Sequence, residues 1–410
     1  MNKETLRDKF YKFELIILYL YGIVFFINYE VSKQIFMVIL LVMLIRKFYF
    51  KESLECGNIK IKYLLLFYIV CGILWNFMAD FNYRAARAFL KLGKEVLLVF
   101  YMYPLLKKDK KNLINFLIIL LCSYLFLFIK EYNFYKINDF RVRFVGLLGY
   151  SNTAISGMLA GSFAFPIILY CKNLKYRLLS LIVFLGSLNI IFAAQSRGGF
   201  LGLIASMIFI TFIKIDLKKL FILFFVLCIT FVGLRETPAL SRIKTSFNIE
   251  RTASNMSNAL RIEMWKNAVW RISQHPIRGG GTKQDEKLFL KRVEMMPENT
   301  KDEKILKSAL MNNGFNDAHN MYLNILTDNG LFSLVHFIIF ALPYFLILKK
   351  RKEEKIINFS VLGSFISFYV YGLTWSIWRN PWSPMVYWVL FSIMCFTVFC
   401  EEEKNENIKK

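Results

Sequence analysis

The sequence predicts an all-α fold: a polytopic membrane helix bundle of about twelve spans, with a large helical loop between spans nine and ten. Three observations predict it. Hydrophobic residues make up 56% of the chain and come in blocks of about twenty, the length that crosses roughly 30 Å of hydrocarbon. Aromatic residues reach 17%, with 42 Phe and 21 Tyr, as suits lipid-facing surfaces and interfacial belts. Every second short loop is rich in Lys and Arg, as the positive-inside rule requires.

The expected spans are 13–29, 34–50, 61–79, 88–106, 112–130, 152–170, 178–195, 199–214, 217–234, 330–348, 356–377 and 384–400. Backbone polar groups cannot stay unpaired in lipid, so each span should be helical. Lys3, Arg7, Lys9 and Lys12 precede the first span and put the N-terminus in the cytoplasm. Later basic loops hold Arg46, Lys47 and Lys51, then Lys107 to Lys111, then Lys172, Lys175 and Arg177. Lys214, Lys218 and Lys219 follow, and then Lys349 to Lys352. Both termini inside satisfies all of them. The expected organisation is therefore 1–234 for spans one to nine, 235–329 for an outer loop, 330–400 for spans ten to twelve, and 401–410 for a polar cytoplasmic tail.

No secretory signal peptide is expected, because the first apolar run leads into Asn28, Tyr29 and Glu30 without a small-residue cleavage site. A net charge of +24 would suggest nucleic acid in a soluble protein. Here the short basic loops account for it, so membrane lipids are the expected partners and nucleic acid is not. None of the seven Cys falls in an expected outer loop, and no CxxC or His/Cys cluster suggests a metal.

The long loop is not featureless. Leu260, Met264, Trp265, Ala268, Val269 and Ile272 recur at helical spacing and predict an amphipathic helix, with Ser257 as its cap. His275-Pro276 and Gly279-Gly280-Gly281 should end it in a turn. The charged stretch from Lys283 to Lys307 is a second helix or a lid.

Arginines on the expected outer face run against the positive-inside rule. They are Arg84, Arg87, Arg141, Arg143, Arg197, Arg261, Arg278 and Arg379. Arg binds phosphate through a planar, permanently charged fork, so several converging would make a diphosphate site. The competing reading is snorkelling to lipid headgroups or structural ion pairing. Arg197 favours function: it has almost no loop around it, and Gly198-Gly199 permits close backbone approach. Only three His occur. His336 falls in an expected span as a packed core residue, and His275 sits in the turn before Pro276. His319 lies where the chain re-enters the membrane, and imidazole is the side chain matched to proton transfer near neutral pH.

These residues carry a resemblance. His319-Asn320, followed after nine residues by Gly330, resembles the signature that ends the large periplasmic loop of the O-antigen ligase family. Ser196-Arg197-Gly198 resembles the Ser-Arg-Gly motif before the eighth span, and Arg261 with Trp265 the Arg-x-x-x-Trp of the loop helix. Pro276 with Gly279 and Gly281 resembles the Pro-x-x-Gly-x-Gly turn. Arg143 with Gly146, then Ser151-Asn152, resembles the stretch before the sixth span more weakly. Tyr150-Ser151 departs from the usual Asn-Pro there, and Ser333 stands where Gly or Thr is common.

The resemblance implies a GT-C-type glycosyltransferase, metal-independent and inverting, without a cofactor, in the bacterial inner membrane. It would take a glycan from undecaprenyl diphosphate to a hydroxyl of the lipid A core on the periplasmic face. His319 and Arg197 would be catalytic, with Arg143, Arg261 and Arg278 on the diphosphate. An O-antigen polymerase or a protein O-oligosaccharyltransferase would use the same donor. A polysaccharide transporter is the rival from another class, but transporters commonly repeat their halves and bind at the midplane, whereas these charges cluster at one boundary.

Overall fold

A computed structural model describes residues 3–80, 83–137, 148–213, 221, 256–284, 286–312, 317–349 and 356–409. Among them the first helices are α1 (Lys3–Val24), α2 (Tyr29–Phe48), α3 (Ile59–Asp80), α4 (Tyr83–Gly93), α5 (Leu97–Lys108) and α6 (Lys110–Ile137). Next come α7 (Tyr150–Tyr170), α8 (Leu174–Ala193) and α9 (Arg197–Ile213). The loop contributes α10 (Met256–Gln274), α11 (Glu286–Glu294), α12 (Lys301–Asn312) and α13 (Met321–Asn329). The chain closes with α14 (Ser333–Lys349), α15 (Ile356–Gly372) and α16 (Trp382–Lys409). No strand occurs among the described residues.

Among the described residues six helical stretches are long and apolar enough to cross a membrane: Ile59–Ala79, Lys110–Phe134, Ser151–Tyr170, Leu174–Ala193, Met321–Lys349 and Trp382–Cys400. Arg197–Ile213 and Ile356–Gly372 are apolar but shorter. A polytopic helical membrane protein fits these elements. On α3, Tyr63, Phe67, Val70 and Leu74 form an exposed apolar stripe at helical spacing, which is the pattern of a lipid-facing helix.

Three expected spans differ, of which the one at 356–377 ends as a helix at Gly372 and runs into a turn. The stretch 88–106 is not one helix, because Gly93, Lys94 and Glu95 interrupt it and a 3-10 turn at Lys94–Val96 divides α4 from α5. The span expected at 330–348 begins earlier, since a 3-10 turn at Gly330–Phe332 joins α13 to α14. The expected span 217–234 lies outside the described residues, Phe221 apart.

Small residues let the helices approach closely. A Cβ on Gly161 of α7 would meet Ser187 Cβ of α8 at 3.0 Å, and one on Gly363 of α15 would meet Ser162 O of α7 at 3.0 Å. Close backbone approach of this kind drives helix association where lipid offers no hydrophobic force between helices. The α16 stretch Trp382–Cys400 is the centre of the bundle, 94% buried, and packs on α5, α14 and α15. Trp382, Tyr387 and Trp388 expose no surface, and the Trp382 indole donates to Phe25 O at 3.2 Å.

The loop has its own small core. Met264 of α10, Phe289 and Val293 of α11, Met296, and Leu310 of α12 bury one another. The amphipathic helix expected there exists, but its buried face differs. Met264, Asn267, Ala268 and Arg271 are buried, whereas Trp265 and Val269 are exposed. Polar residues share that face because each finds a partner: Asn267 Nδ2 donates to Phe289 O at 3.0 Å, and Arg271 lies over the Phe289 ring. Ser257 falls inside α10 rather than ahead of it.

Candidate functional site

The connection from α8 to α9 is Ala194 to Ser196. Gln195 takes a left-handed φ of +48°, and its N–H donates to Phe192 O at 2.8 Å. Ser196 Oγ accepts from Gly199 N–H at 3.2 Å and so caps α9, whose first residue is Arg197. A Cβ on Gly198 would lie 2.3 Å from Thr374 Oγ1 and 3.2 Å from the Tyr371 ring. Glycine is needed there because the start of α9 lies against the end of α15. The turn leaves Arg197 little freedom.

Arg197 faces α10. Its Nη2 donates to Asn258 Oδ1 at 3.4 Å. Arg261 lies about one turn further along α10 and is half-buried. Burial, and after it the nearby charge of Arg197, push the Arg261 guanidinium below its ordinary value, while Tyr371 acts the other way. Both guanidiniums stay protonated at any ordinary pH, so the two like charges repel. An anion bridging them would relieve that repulsion.

His319 is held by side chains on both sides of it. Its N–H donates to Asp317 Oδ1 at 2.7 Å. Asn320 Oδ1 caps α13 by accepting from Tyr322 N–H and Leu323 N–H, while its Nδ2 donates to Leu373 O at 3.1 Å. His319 itself has φ +47°. Its ring packs on Trp375 with centroids 4.7 Å apart, and its Nδ1 lies 3.5 Å from Asp317 Oδ1.

The stretch from Tyr371 to Ser376 therefore joins the parts. Tyr371 and Thr374 touch the α9 start, Tyr371 acts on Arg261, and Leu373 holds Asn320. Trp375 holds the His319 ring, and Ser376 donates to Asp317. Beside it lies a cavity of about 370 Å³ lined by Ser151, Lys283, Asp317, Trp375, Ser376, Arg379 and Asn380. That size is at the lower end of small-molecule sites.

Of the residues singled out in the sequence, the Arg197 turn, Arg261 and His319 each border this stretch, and Arg197 and Arg261 act on each other. Arg278 does not: its side chain is exposed, and among the described residues it makes no hydrogen bond or ion pair. Its carbonyl accepts from the Trp75 indole at 3.0 Å. Arg143 lies outside the described residues, as does Arg141. His336 is a packed core residue, with Tyr68 Oη 3.3 Å from its Nε2. Arg379 is a structural ion pair, bidentate to Asp328 through Nε and Nη2, with both side chains buried. No group of three or more His, Cys, Asp or Glu able to hold a metal occurs among the described residues.

The glycine motif has a structural explanation. Gly279, at φ +73°, would place a Cβ 2.5 Å from Asp328 O, and Gly330, at φ +50°, would place one 2.3 Å from Ile277 O. Gly280 N–H donates to Thr327 O at 2.8 Å, Gly281 N–H to Asp328 O at 2.9 Å, and Leu331 N–H to Ile277 O at 2.8 Å. The Pro276-to-Gly281 turn and the Asn329-Gly330 end of α13 thus lock together backbone to backbone. Asn76 of α3 joins them, accepting from Thr282 N–H at 2.7 Å and donating to Asn329 Oδ1 at 3.0 Å.

Asp317, Trp375, Ser376 and Lys283 were not singled out in the sequence. The run Thr374-Trp375-Ser376-Ile377-Trp378-Arg379-Asn380 carried the signal, two Trp and several polar groups between apolar runs. No curated protein matches the chain significantly. Residues 182–338, from α8 into α14 and including Arg197, Arg261 and His319, match the family model described as O-antigen ligase.

Proposed function

We propose that this chain is an O-antigen ligase, a glycosyltransferase that moves a glycan from undecaprenyl diphosphate to a hydroxyl of the lipid A core. The observation that supports the reading is that the Arg197 turn, Arg261 and the His319 ring all border the stretch Tyr371 to Ser376, with Arg197 and Arg261 acting on each other. The match of residues 182–338 to the O-antigen ligase family supports it. The bundle would be a twelve-span GT-C-type arrangement in the bacterial inner membrane, with both termini cytoplasmic and 235–329 as a periplasmic loop.

In this reading the donor's diphosphate bridges Arg197 and Arg261. The acceptor oxygen attacks the anomeric carbon as the bond from that carbon to the diphosphate oxygen breaks. The two guanidiniums meet the charge that develops on the leaving phosphate, so the positive charge comes from side chains rather than a metal. His319 takes the proton of the attacking hydroxyl, and attack opposite the leaving group inverts the centre. Arg143 and Arg278 are the further candidates for outer diphosphate contacts.

Reconstitution in proteoliposomes tests this. The donor is polymerised glycan on undecaprenyl diphosphate, offered with lipid A core, lipid-linked repeat units or a pilin-like protein. Transfer to lipid A core is expected, with Arg197→Ala and His319→Ala each losing it while still inserting. Transfer only to repeat units would make the chain a polymerase, and transfer only to protein a protein O-oligosaccharyltransferase. Normal transfer by both variants would remove the site assignment.

A further inference from the structure

Asp317 lies two residues before His319 and is tied to three separate pieces of the fold. All its described bonds converge on Oδ1. The His319 N–H donates to it at 2.7 Å, Asn324 Nδ2 of α13 at 2.9 Å, and the Ser376 hydroxyl of the turn after α15 as well. Asn324 also donates to Ser376 Oγ at 2.7 Å and accepts from Ala318 N–H at 2.9 Å, which closes a ring of bonds around the carboxylate. A surface turn cap needs only the first of these. The others fix the carboxylate in space relative to both α13 and α15.

What the fixed carboxylate faces is the imidazole. His319 Nδ1 lies 3.5 Å from Asp317 Oδ1, while Trp375 packs against the ring at 4.7 Å. Contacts between a base and its orienting group are often long in a free enzyme and shorten when substrate is bound. The His319 backbone is at φ +47°, a region that side chains other than glycine seldom occupy. Asp317, Trp375 and Ser376 also line the 370 Å³ cavity, so the carboxylate and the ring's packing partner border space where a substrate can sit.

We infer that Asp317 is the positioning residue of His319: it holds the ring in the tautomer with the proton on Nδ1, leaving Nε2 as the base. The inference rests on the proposed function and adds to it a residue outside the motifs. Its chemistry follows from charge. Burial alone would raise the Asp317 carboxyl, but His319, the Arg379 charge and the Ser376 hydroxyl outweigh it and hold it well below the ordinary carboxylate range. An ionised carboxylate only accepts, so a neutral imidazole nitrogen facing it must carry the hydrogen. The other nitrogen then has the lone pair that general base catalysis needs.

The chain has only three His, so imidazole nitrogen NMR of the full chain in nanodiscs, labelled with ¹⁵N-histidine, can be assigned by difference with His319→Gln. The wild type should show neutral His319 protonated at Nδ1. Asp317→Asn keeps an acceptor for the backbone and removes the charge. It should move His319 toward the Nε2–H tautomer and lower kcat for transfer to lipid A core by about tenfold or more, within the roughly 10²–10⁴ that such a base contributes, with both KM values little changed. Asp317→Glu should restore part of the kcat and of the tautomer. Ser376→Ala, which loosens the carboxylate but keeps it, should have a smaller effect of the same kind. An unchanged tautomer in Asp317→Asn overturns the inference, as does a shifted tautomer with wild-type kcat. The spectrum needs no turnover. A wild-type chain that transfers nothing would therefore defeat the proposed function, while the tautomer would still decide whether the carboxylate orients the ring.

Discussion

Two arginine environments at the loop end of the bundle differ in one respect, the charge that answers them. Arg379 lies buried against Asp328 in a bidentate pair, with side-chain exposures of 6% and 5%. Arg261 is also withdrawn from water, but the charge that bears on it most is another guanidinium, that of Arg197. A fork matched by a carboxylate is complete, and its removal costs structure. Two cations set near each other leave a demand for negative charge, and their removal costs binding. On the proposed reading the same residue type serves as a staple in one place and as a receptor in the other.

The largest effect should come from the staple. Asp328→Asn leaves Arg379 buried without its counter-charge, at a cost of about 3–5 kcal/mol, read as a drop in the thermal unfolding midpoint of the purified protein. Replacing both residues with apolar ones of similar volume should recover most of that loss. On the receptor side, Arg197→Lys keeps the charge and loses the fork. It should reduce transfer by roughly 10²–10³-fold with the unfolding midpoint unmoved. Equal midpoints for Asp328→Asn and wild type would break the comparison from one side, and full activity of Arg197→Lys from the other.

A smaller effect is expected at the turn that holds the loop in place. Gly279→Ala puts a Cβ against Asp328 O at a left-handed backbone position. The strain is about 1–3 kcal/mol, and it should loosen the 256–329 segment. Limited proteolysis there would read this as faster cleavage, with the bundle helices spared.

Most helices were legible in the sequence because length and apolarity are local properties. The helices α3, α6, α7 and α8 fall where the apolar runs predict them. The break between α4 and α5 was missed because the surrounding apolar residues outweigh Lys94 and Glu95 in any window of twenty or so. The buried face of α10 was misread for a related reason. Periodicity marks apolar positions, but Asn267 and Arg271 are buried by partners from α11 that no local pattern reveals.

In the candidate site, Arg197, Arg261 and His319 stood out in the sequence because unusual residues stood at unusual places. The stretch they border did not. Tyr371 to Ser376 lies about fifty or more residues from every group it gathers, and such contacts leave no trace in spacing. The Pro276-to-Gly281 motif was visible as a turn, but its purpose, a backbone lock onto Asn329-Gly330, appears only in three dimensions.

The central claim is that Arg197 and Arg261 together receive a diphosphate. Binding of a short-chain prenyl diphosphate to the full chain in nanodiscs tests it most directly, with wild type, Arg197→Ala, Arg261→Ala and the double variant compared. Each single variant should weaken binding by about tenfold or more, the two losses should fail to add because one ligand spans both groups, and raised salt should weaken wild-type binding. Equal affinity across all four proteins would contradict the account.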